Sequence, residues 1–595
     1  MPQLPPAFGR LFARSAPQGN GIKDIKDHKD PKDASFVPQV LAVLAVLVSS
    51  TPFQIGLALL AHWYLWPRWL RLSQLPQGSY FAPFLVPQIL NHSPLVLFLV
   101  VNLGLLLVFR RRLAWREIDS GGRTRWFIFG AAAILAWAFS TYDVNLYFGQ
   151  FHLLERFLLL GLLALLLVHP LFIVPFLGLL LVLALQLVYP LPEGAWMWPD
   201  KRLPLDGLIL FNAFLLTRIV TRARAHVFPL LVLSLTGASY AHAAIEKLRL
   251  GPYLGSWLSN HTSNITVSAF TNGGWLRGLG EETVVGLARA MSHTDLLMAL
   301  GTLMIEASGF LILVSPRATR FVLCGFLALH TAILATTGIF FWKWMLFDLA
   351  LLWYLSRLQR DAAAGGWQLF SRRNALLVML VVAGTRLYFY NIDYAWFDSR
   401  VANFFVLRGI GASGNEYRLE PRFFSPYDLV AQQSRFYYLT ERPVLAGTYG
   451  TTHDFALLRD LETARVEDLP RLRAERGRKW TNTGWAQAFR DFVQRYTANA
   501  QARGSKRIWL NWLAPPHHFQ TTLAPNAYDF QEPLIRVEVD FEEHFFDGHR
   551  IVPTVRETVM VIPLPYRDFR VRRFYPSLPS RIDARRVTPK MVTTP

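Results

Sequence analysis

The residue whose type and place most invite chemistry is Lys247, in Tyr240-Ala-His-Ala-Ala-Ile-Glu-Lys247, continued by Leu-Arg-Leu-Gly-Pro-Tyr-Leu-Gly-Ser-Trp257. An apolar stretch, Val227 to Ala244, runs into it. Where water is scarce the charged form of an amine is disfavoured, and a lysine so placed can act as a base near neutral pH. The bland alternative is an anchor that reaches for the headgroups from a helix end. Tyr240, Ala244 and Lys247 share one helical face, and His242 lies about one turn before Glu246 and Lys247. A second group is Asp143, Asn145, Tyr147, Gln150, His152, Glu155 and Arg156. Such side chains at the ends of two apolar segments line a cavity or cap the helices. A third group lies within apolar segments: Glu306, His330, Lys343 and Asp348. Ionisable groups at membrane depth need partners, and Glu306 and His330 are expected to meet across adjacent helices, for function or to fix register. Toward the C-terminus, His517, His518, His544 and His549 accompany Glu542, Glu543 and Asp547. Their spacing fits no compact metal motif, so a solvated acidic loop is the reading and no metal is expected. A nucleotide-binding glycine loop and a GxSxG elbow are both absent. The lone Cys324 excludes an internal disulfide and multi-cysteine metal sites.

These residues must be positioned by a membrane-embedded scaffold. The 595 residues are 52% hydrophobic, with 19 Trp and 44 Phe, and mean hydropathy is +0.25. Apolar runs lie near 37–65, 94–109, 126–142, 153–168, 171–189, 205–220, 227–244, 294–315, 321–340, 342–357 and 374–391, which gives about eleven spans. The fold class expected is a polytopic α-helical membrane protein of about 9–11 transmembrane helices with a C-terminal extracytoplasmic α+β domain. The net charge of +20 and the pI of about 10.1 are assigned to the loops, since no basic recognition motif for nucleic acid is present. Arg110-Arg111-Arg112, the Arg218–Arg224 loop, Arg317 with Arg320, and the Arg357–Arg373 loop fall on one face if each run crosses once. The positive-inside rule makes that face cytoplasmic, and Lys247, segment 245–293 and everything after about 392 extracytoplasmic. Residues 1–35, with their Lys-Asp alternation, read as a polar cytoplasmic arm; no cleavable signal peptide is visible. The transmembrane region is 36–393, with an interfacial helix over Glu281–Met291 in the 245–293 segment. The outer domain is 394–595: Arg536–Phe541 and Val555–Ile562 alternate like strands, Leu461–Arg503 reads as one or two helices, and prolines such as Pro515, Pro563, Pro576 and Pro579 mark turns.

Three blocks give the chain a resemblance to the HTTM (horizontally transferred transmembrane) superfamily, which includes vitamin K-dependent γ-carboxylase. Tyr240-Ala-His-Ala-Ala-Ile-Glu-Lys247-Leu248 is similar to the family's Tyr-Phe-x-Ala-Gly-x-x-Lys-Leu. Ile305-Glu306-Ala-Ser-Gly309, followed by Leu329-His330, is similar to its acidic span and the neighbouring helix. Asp143-x-Asn145-x-Tyr147 is similar to Asp-x-Asn-His-Tyr, with Leu146 where the family has His. Gly251-Pro252-Tyr253 stands where the family has Asp-Trp after its lysine. The resemblance covers roughly residues 40–355. It implies Lys247 as the base toward a vitamin K-type quinol, assisted by Asn145 and His152, with Asp143, Tyr147, Tyr240, His242, Glu306 and His330 around the substrate cavity. It further implies a quinol-linked carboxylase or oxygenase in the plasma or inner membrane. In that chemistry quinol oxygenation generates the strong base and CO2 adds to a glutamyl carbanion. The alternative is a non-catalytic scaffold, maturation factor or accessory subunit. The partners expected are the lipid bilayer and a protein partner or peptide substrate at the C-terminal domain.

Overall fold

The apolar runs become helices. In a computed structural model of the chain the described residues are 46–118, 122–143, 145–191, 199–365, 369–388, 394–427, 436–440, 450–504 and 512–565. The arm at 1–35 and the turns at Pro576 and Pro579 lie outside them. The principal helices are α1 (Thr51–Ser73), α2 (Ser93–Val108), α3 (Arg123–Thr141), α4 (Leu153–Val168), α5 (Ile173–Leu185), α6 (Pro199–Thr221) and α7 (Val227–Arg249). After α7 come α8 (Thr262–Thr271), α9 (Glu281–Ser292), α10 (Asp295–Ala307), α11 (Pro316–Thr337), α12 (Trp342–Gly365) and α13 (Arg372–Ala383). Their ends follow local chemistry. The Ser315 hydroxyl accepts from the Ala318 N–H ahead of Pro316, and Gly338 closes α11 at φ 75°. Ser371 caps α13 in the same way.

Among the described residues five helices are long and apolar enough to cross a membrane, and six if α9 and the α10 segment, bent by 73°, form one broken span. Several others are too short to cross alone. The 16 residues of α2 or α4 reach about 24 Å at 1.5 Å per residue, short of a hydrocarbon core of about 30 Å. Much of their apolar surface faces outward: Leu97, Val100, Val101 and Leu105 on α2, Phe157 and Leu165 on α4. Apolar side chains turned outward at this density are what a lipid environment accommodates.

Tyr240 and Lys247 lie on α7, which is packed against α6, α10 and α13. Its approach to the turn after α10 is backbone to backbone. A Cβ on Gly237 would come within 2.6 Å of the Gly309 carbonyl oxygen, and one on Gly309 within 2.4 Å of the Gly237 oxygen. Only glycine at both positions permits that crossing, the small-residue packing familiar between membrane helices.

From Phe397 onward the chain turns to strands, although 51–595 remains one compact unit. A four-stranded antiparallel sheet comprises β1 (Val401–Gly411), β2 (Glu416–Leu419), β3 (Leu534–Phe546) and β4 (Ile551–Pro563), ordered β2-β1-β3-β4. The two strands expected from alternation are the cores of β3 and β4, while β1 was not singled out. Phe405, Leu407, Val537, Val539 and Phe541 face a core shared with Phe489, Phe492 and Val493 of α16 (Thr483–Arg503). The opposite face is charged: Arg408 bonds both oxygens of buried Asp540 at 2.8 and 2.9 Å, and Arg556 and Thr558 join the same carboxylate. The expected helical stretch at 461–503 is divided among α14 (Phe455–Thr463), α15 (Leu469–Ala474) and α16.

Candidate functional site

Lys247 sits on the last turns of α7, buried rather than turned to solvent. Its Nζ donates to both carboxylate oxygens of Glu306, at 2.7 and 2.9 Å, and lies 5.4 Å from the centre of the Trp257 ring. Glu306 comes from the end of α10, just before Gly309. The glycine contact and the ion pair are therefore one arrangement: the backbones close at 237 and 309, and the long lysine reaches across to the carboxylate. In such a buried pair each charge offsets the desolvation of the other, and removing one strands its partner.

Two turns earlier on the same face of α7, the Tyr240 hydroxyl donates to Asp348 Oδ2 of α12 at 2.8 Å and lies 2.8 Å from His330 Nε2 of α11. The single hydroxyl proton can serve only one of these two neighbours; given to the carboxylate, it leaves Nε2 as the donor to the phenol oxygen. The ring of Tyr240 stacks on Phe326 at 3.5 Å, and Trp344 meets it edge-on at 5.4 Å. Among the described residues, His330 Nδ1 and Asp348 Oδ1 are buried without hydrogen-bond partners. A buried polar atom without a partner thus lies at each end of the His330–Tyr240–Asp348 chain.

Glu306 and His330, expected to meet each other, each meet α7 instead, one through Lys247 and one through Tyr240. His242 faces Glu246 on its own helix at 3.8 Å. Lys343 is buried on α12, with its Nζ 4.3 Å from the centre of the Trp342 ring.

The group around Asn145 is built otherwise. Arg156, fully buried in the first turn of α4, donates to Asn145 Oδ1 at 2.6 Å, to the Ser140 carbonyl at 2.8 Å and to the Phe151 carbonyl at 2.9 Å. Asn145 Nδ2 donates to the Gln150 carbonyl. Asp143 pairs with Arg503 of α16 at 3.0 Å, and Tyr147 stacks on Phe492. His152 adopts the left-handed conformation, φ 47°, and its Nε2 lies 3.0 Å from the Ala82 carbonyl oxygen. Burial pushes this imidazole below the ordinary histidine range. No hydrogen bond, ion pair or ring contact among the described residues joins Asn145 or His152 to Lys247.

A further polar centre escaped the sequence reading. Buried Asp398 and Asn260 exchange two hydrogen bonds, at 2.8 and 2.6 Å. His261 bridges Asp295 at 3.2 Å and Glu462 of α14 at 3.0 Å. Burial pushes the Asp398 carboxyl up to about 7, and the hydrogen bond to Asp295 raises the His261 imidazole. The polar run Asn260-His261-Thr262-Ser263-Asn264 was the available signal. Its acidic partners, about 35 to 200 residues further along, carried none.

The C-terminal histidines diverge: His517 Nδ1 bonds the Ser425 hydroxyl at 2.7 Å, His544 faces Glu542, and His549 faces Arg289. Among the described residues no three His, Cys, Asp or Glu side chains gather as a metal site would require. A cavity of about 520 Å³ lies between the α3–α4 turn, the end of α16 and the 420–425 and 514–530 segments; Lys247 is not on its wall. No protein-family model matches this chain, and neither does any curated protein or solved structure.

Proposed function

We propose that the chain is a multi-span membrane protein of the HTTM type whose Lys247–Glu306 pair takes a proton from a lipid-soluble, quinol-class hydroxyl. The reading includes about nine to eleven spans, a cytoplasmic N-terminus and an extracytoplasmic 394–595 region. The observation that carries it is the bidentate, buried ion pair at the end of an apolar helix. The proton has two equivalent routes. With the pair charged, Glu306 accepts it and the ammonium stays beside the new quinolate. With the pair neutralised by transfer from Lys247 to Glu306, the free amine accepts it. Either way the pair ends with one proton more and the substrate with one fewer. Tyr240, His330 and Asp348 extend the polar chain along the same face of α7.

The test uses membranes containing the full chain, supplied with vitamin K hydroquinone or menaquinol, O2, CO2 and a glutamyl peptide. Quinone epoxide and fixed CO2 are followed in wild type, Lys247→Ala and Glu306→Gln. Product in the wild type that disappears in both variants is expected. Equal product in wild type and Lys247→Ala eliminates the reading.

The same ion pair favours a second reading, a non-catalytic scaffold, because an ammonium locked on a carboxylate also fixes helix register. Here Lys247→Met combined with Glu306→Met would leave capture of the protein partner unchanged. Under the first reading the double variant is inactive.

A further inference from the structure

The 520 Å³ cavity has walls of two kinds. Tyr142, Leu146, Phe423, Tyr496 and Phe530 make about half of it aromatic and apolar, and the rest is polar. Its charged groups are mostly engaged. Arg503 is paired with Asp143 at 3.0 Å and lies 4.1 Å over the Phe151 ring. Glu420 faces Arg418 at 3.3 Å and Arg277 at 3.7 Å. Two are left over. The Arg422 guanidinium and the Asp529 carboxylate, both exposed at the cavity, make no ion pair and no side-chain hydrogen bond among the described residues.

A ligand that is only an anion would suit Arg422 and be opposed by Asp529; a simple amine would meet the reverse. A molecule carrying both charges satisfies both. The setting narrows the class further. Thr141 and Tyr142, at the end of α3, lie on the cavity wall, and one turn earlier Trp137 Nε1 donates to the Leu513 carbonyl at 2.6 Å. Around it Trp512 is 82% exposed, Leu513 57% and Leu523, itself on the wall, 53%. A collar of bare apolar side chains at the end of an apolar helix is where acyl chains lie.

We infer that this cavity binds the headgroup of a phosphoethanolamine lipid: Arg422 takes the phosphate, Asp529 the primary ammonium, and the aromatic wall the glycerol backbone. The volume falls within the range of small-molecule sites, about 300–1,000 Å³. Asp529 is the selective element, because a trimethylated ammonium cannot donate hydrogen bonds to a carboxylate.

The full chain, purified in detergent and delipidated, is titrated with phosphatidylethanolamine, phosphatidylcholine or phosphatidylglycerol, and bound lipid is counted by native mass spectrometry. Phosphatidylethanolamine is expected to bind about tenfold tighter than either of the others. Asp529→Asn should bring it level with phosphatidylcholine, and Arg422→Gln should weaken both alike. Neither variant should move the unfolding temperature, since neither side chain has a partner to lose among the described residues. Equal binding of the three lipids by wild type, or a preference that survives both substitutions, overturns the inference. Glycerophosphoethanolamine should compete only weakly; competition as strong as that of the lipid would make a soluble ester the ligand and overturn the lipid assignment.

Discussion

The two polar groups flanking the bundle, one on α7 and one at the α3–α4 turn, are similar in composition and opposite in construction. On α7, side chain meets side chain across helices: lysine to glutamate, tyrosine to histidine and aspartate. Among the described residues, His330 Nδ1 and Asp348 Oδ1 are left without partners. At the turn, Arg156, Asn145 and His152 direct most of their hydrogen bonds at main-chain carbonyls. The first arrangement leaves buried polar atoms unpartnered beside an ion pair. The second holds a loop in shape, because buried carbonyls need donors and a charged guanidinium supplies several from one side chain. Composition does not separate a site from a brace; the partners do.

The comparison breaks first at Lys247. Lys247→Met leaves Glu306 buried and uncompensated, and should cost about 3–5 kcal/mol of stability. Lys247→Met with Glu306→Met should recover most of it. Both are read from unfolding midpoints in detergent, and a double variant as unstable as the single would show that the pair is not the coupled unit. Next is Gly309→Val, whose Cβ would fall 2.4 Å from the Gly237 oxygen. The loss should lie toward the top of the overpacking range of about 1–3 kcal/mol, and any quinol chemistry should go with it. On the other side, Asn145→Ala removes an acceptor from Arg156 and should cost about 1–3 kcal/mol while sparing whatever activity depends on Lys247. Loss of turnover with unchanged stability in Asn145→Ala would turn the brace into a site.

The smallest effect is that of pH. His261 has its folded pKa raised, so its contribution is fully present below its unfolded pKa of about 6.5 and is lost as pH rises through the higher folded value. With 40% of its side chain exposed, screening limits the gain to about 0.2–1 kcal/mol. Asp398, pushed up to about 7, acts in the same direction: stability falls as pH rises from its unfolded value of about 4 through about 7. The unfolding midpoint should decline between pH 6 and 8, and less steeply in His261→Gln. A midpoint that rises over that interval would contradict both assignments.

Much of this was legible in the sequence and some was not, for identifiable reasons. Hydropathy located the helices, and the i, i+4, i+7 spacing put Tyr240 and Lys247 on one face, where they are. It also picked out Glu306, His330 and Asp348 as ionisable groups that must find partners. It could not say which partner. That depends on which helices touch, and here a contact between two glycines, invisible to hydropathy, decides that α10 lies on α7. At the turn, the left-handed backbone at His152 directs its ring toward residue 82, a contact no spacing rule predicts. The strand β1 went unmarked because Val401-Ala-Asn-Phe-Phe-Val-Leu-Arg-Gly-Ile-Gly411 is buried on both faces and lacks clean alternation.

The Gly237–Gly309 crossing also constrains how this protein can diverge. The polar residues near the crossing can be exchanged in the course of descent, charge for charge or for none, so long as the rods keep their spacing. The two positions without side chains cannot, since any added carbon pries the rods apart at the point from which every neighbouring group is aimed. Descendants with other polar groups should therefore keep an unadorned pair at 237 and 309 after the lysine itself has gone.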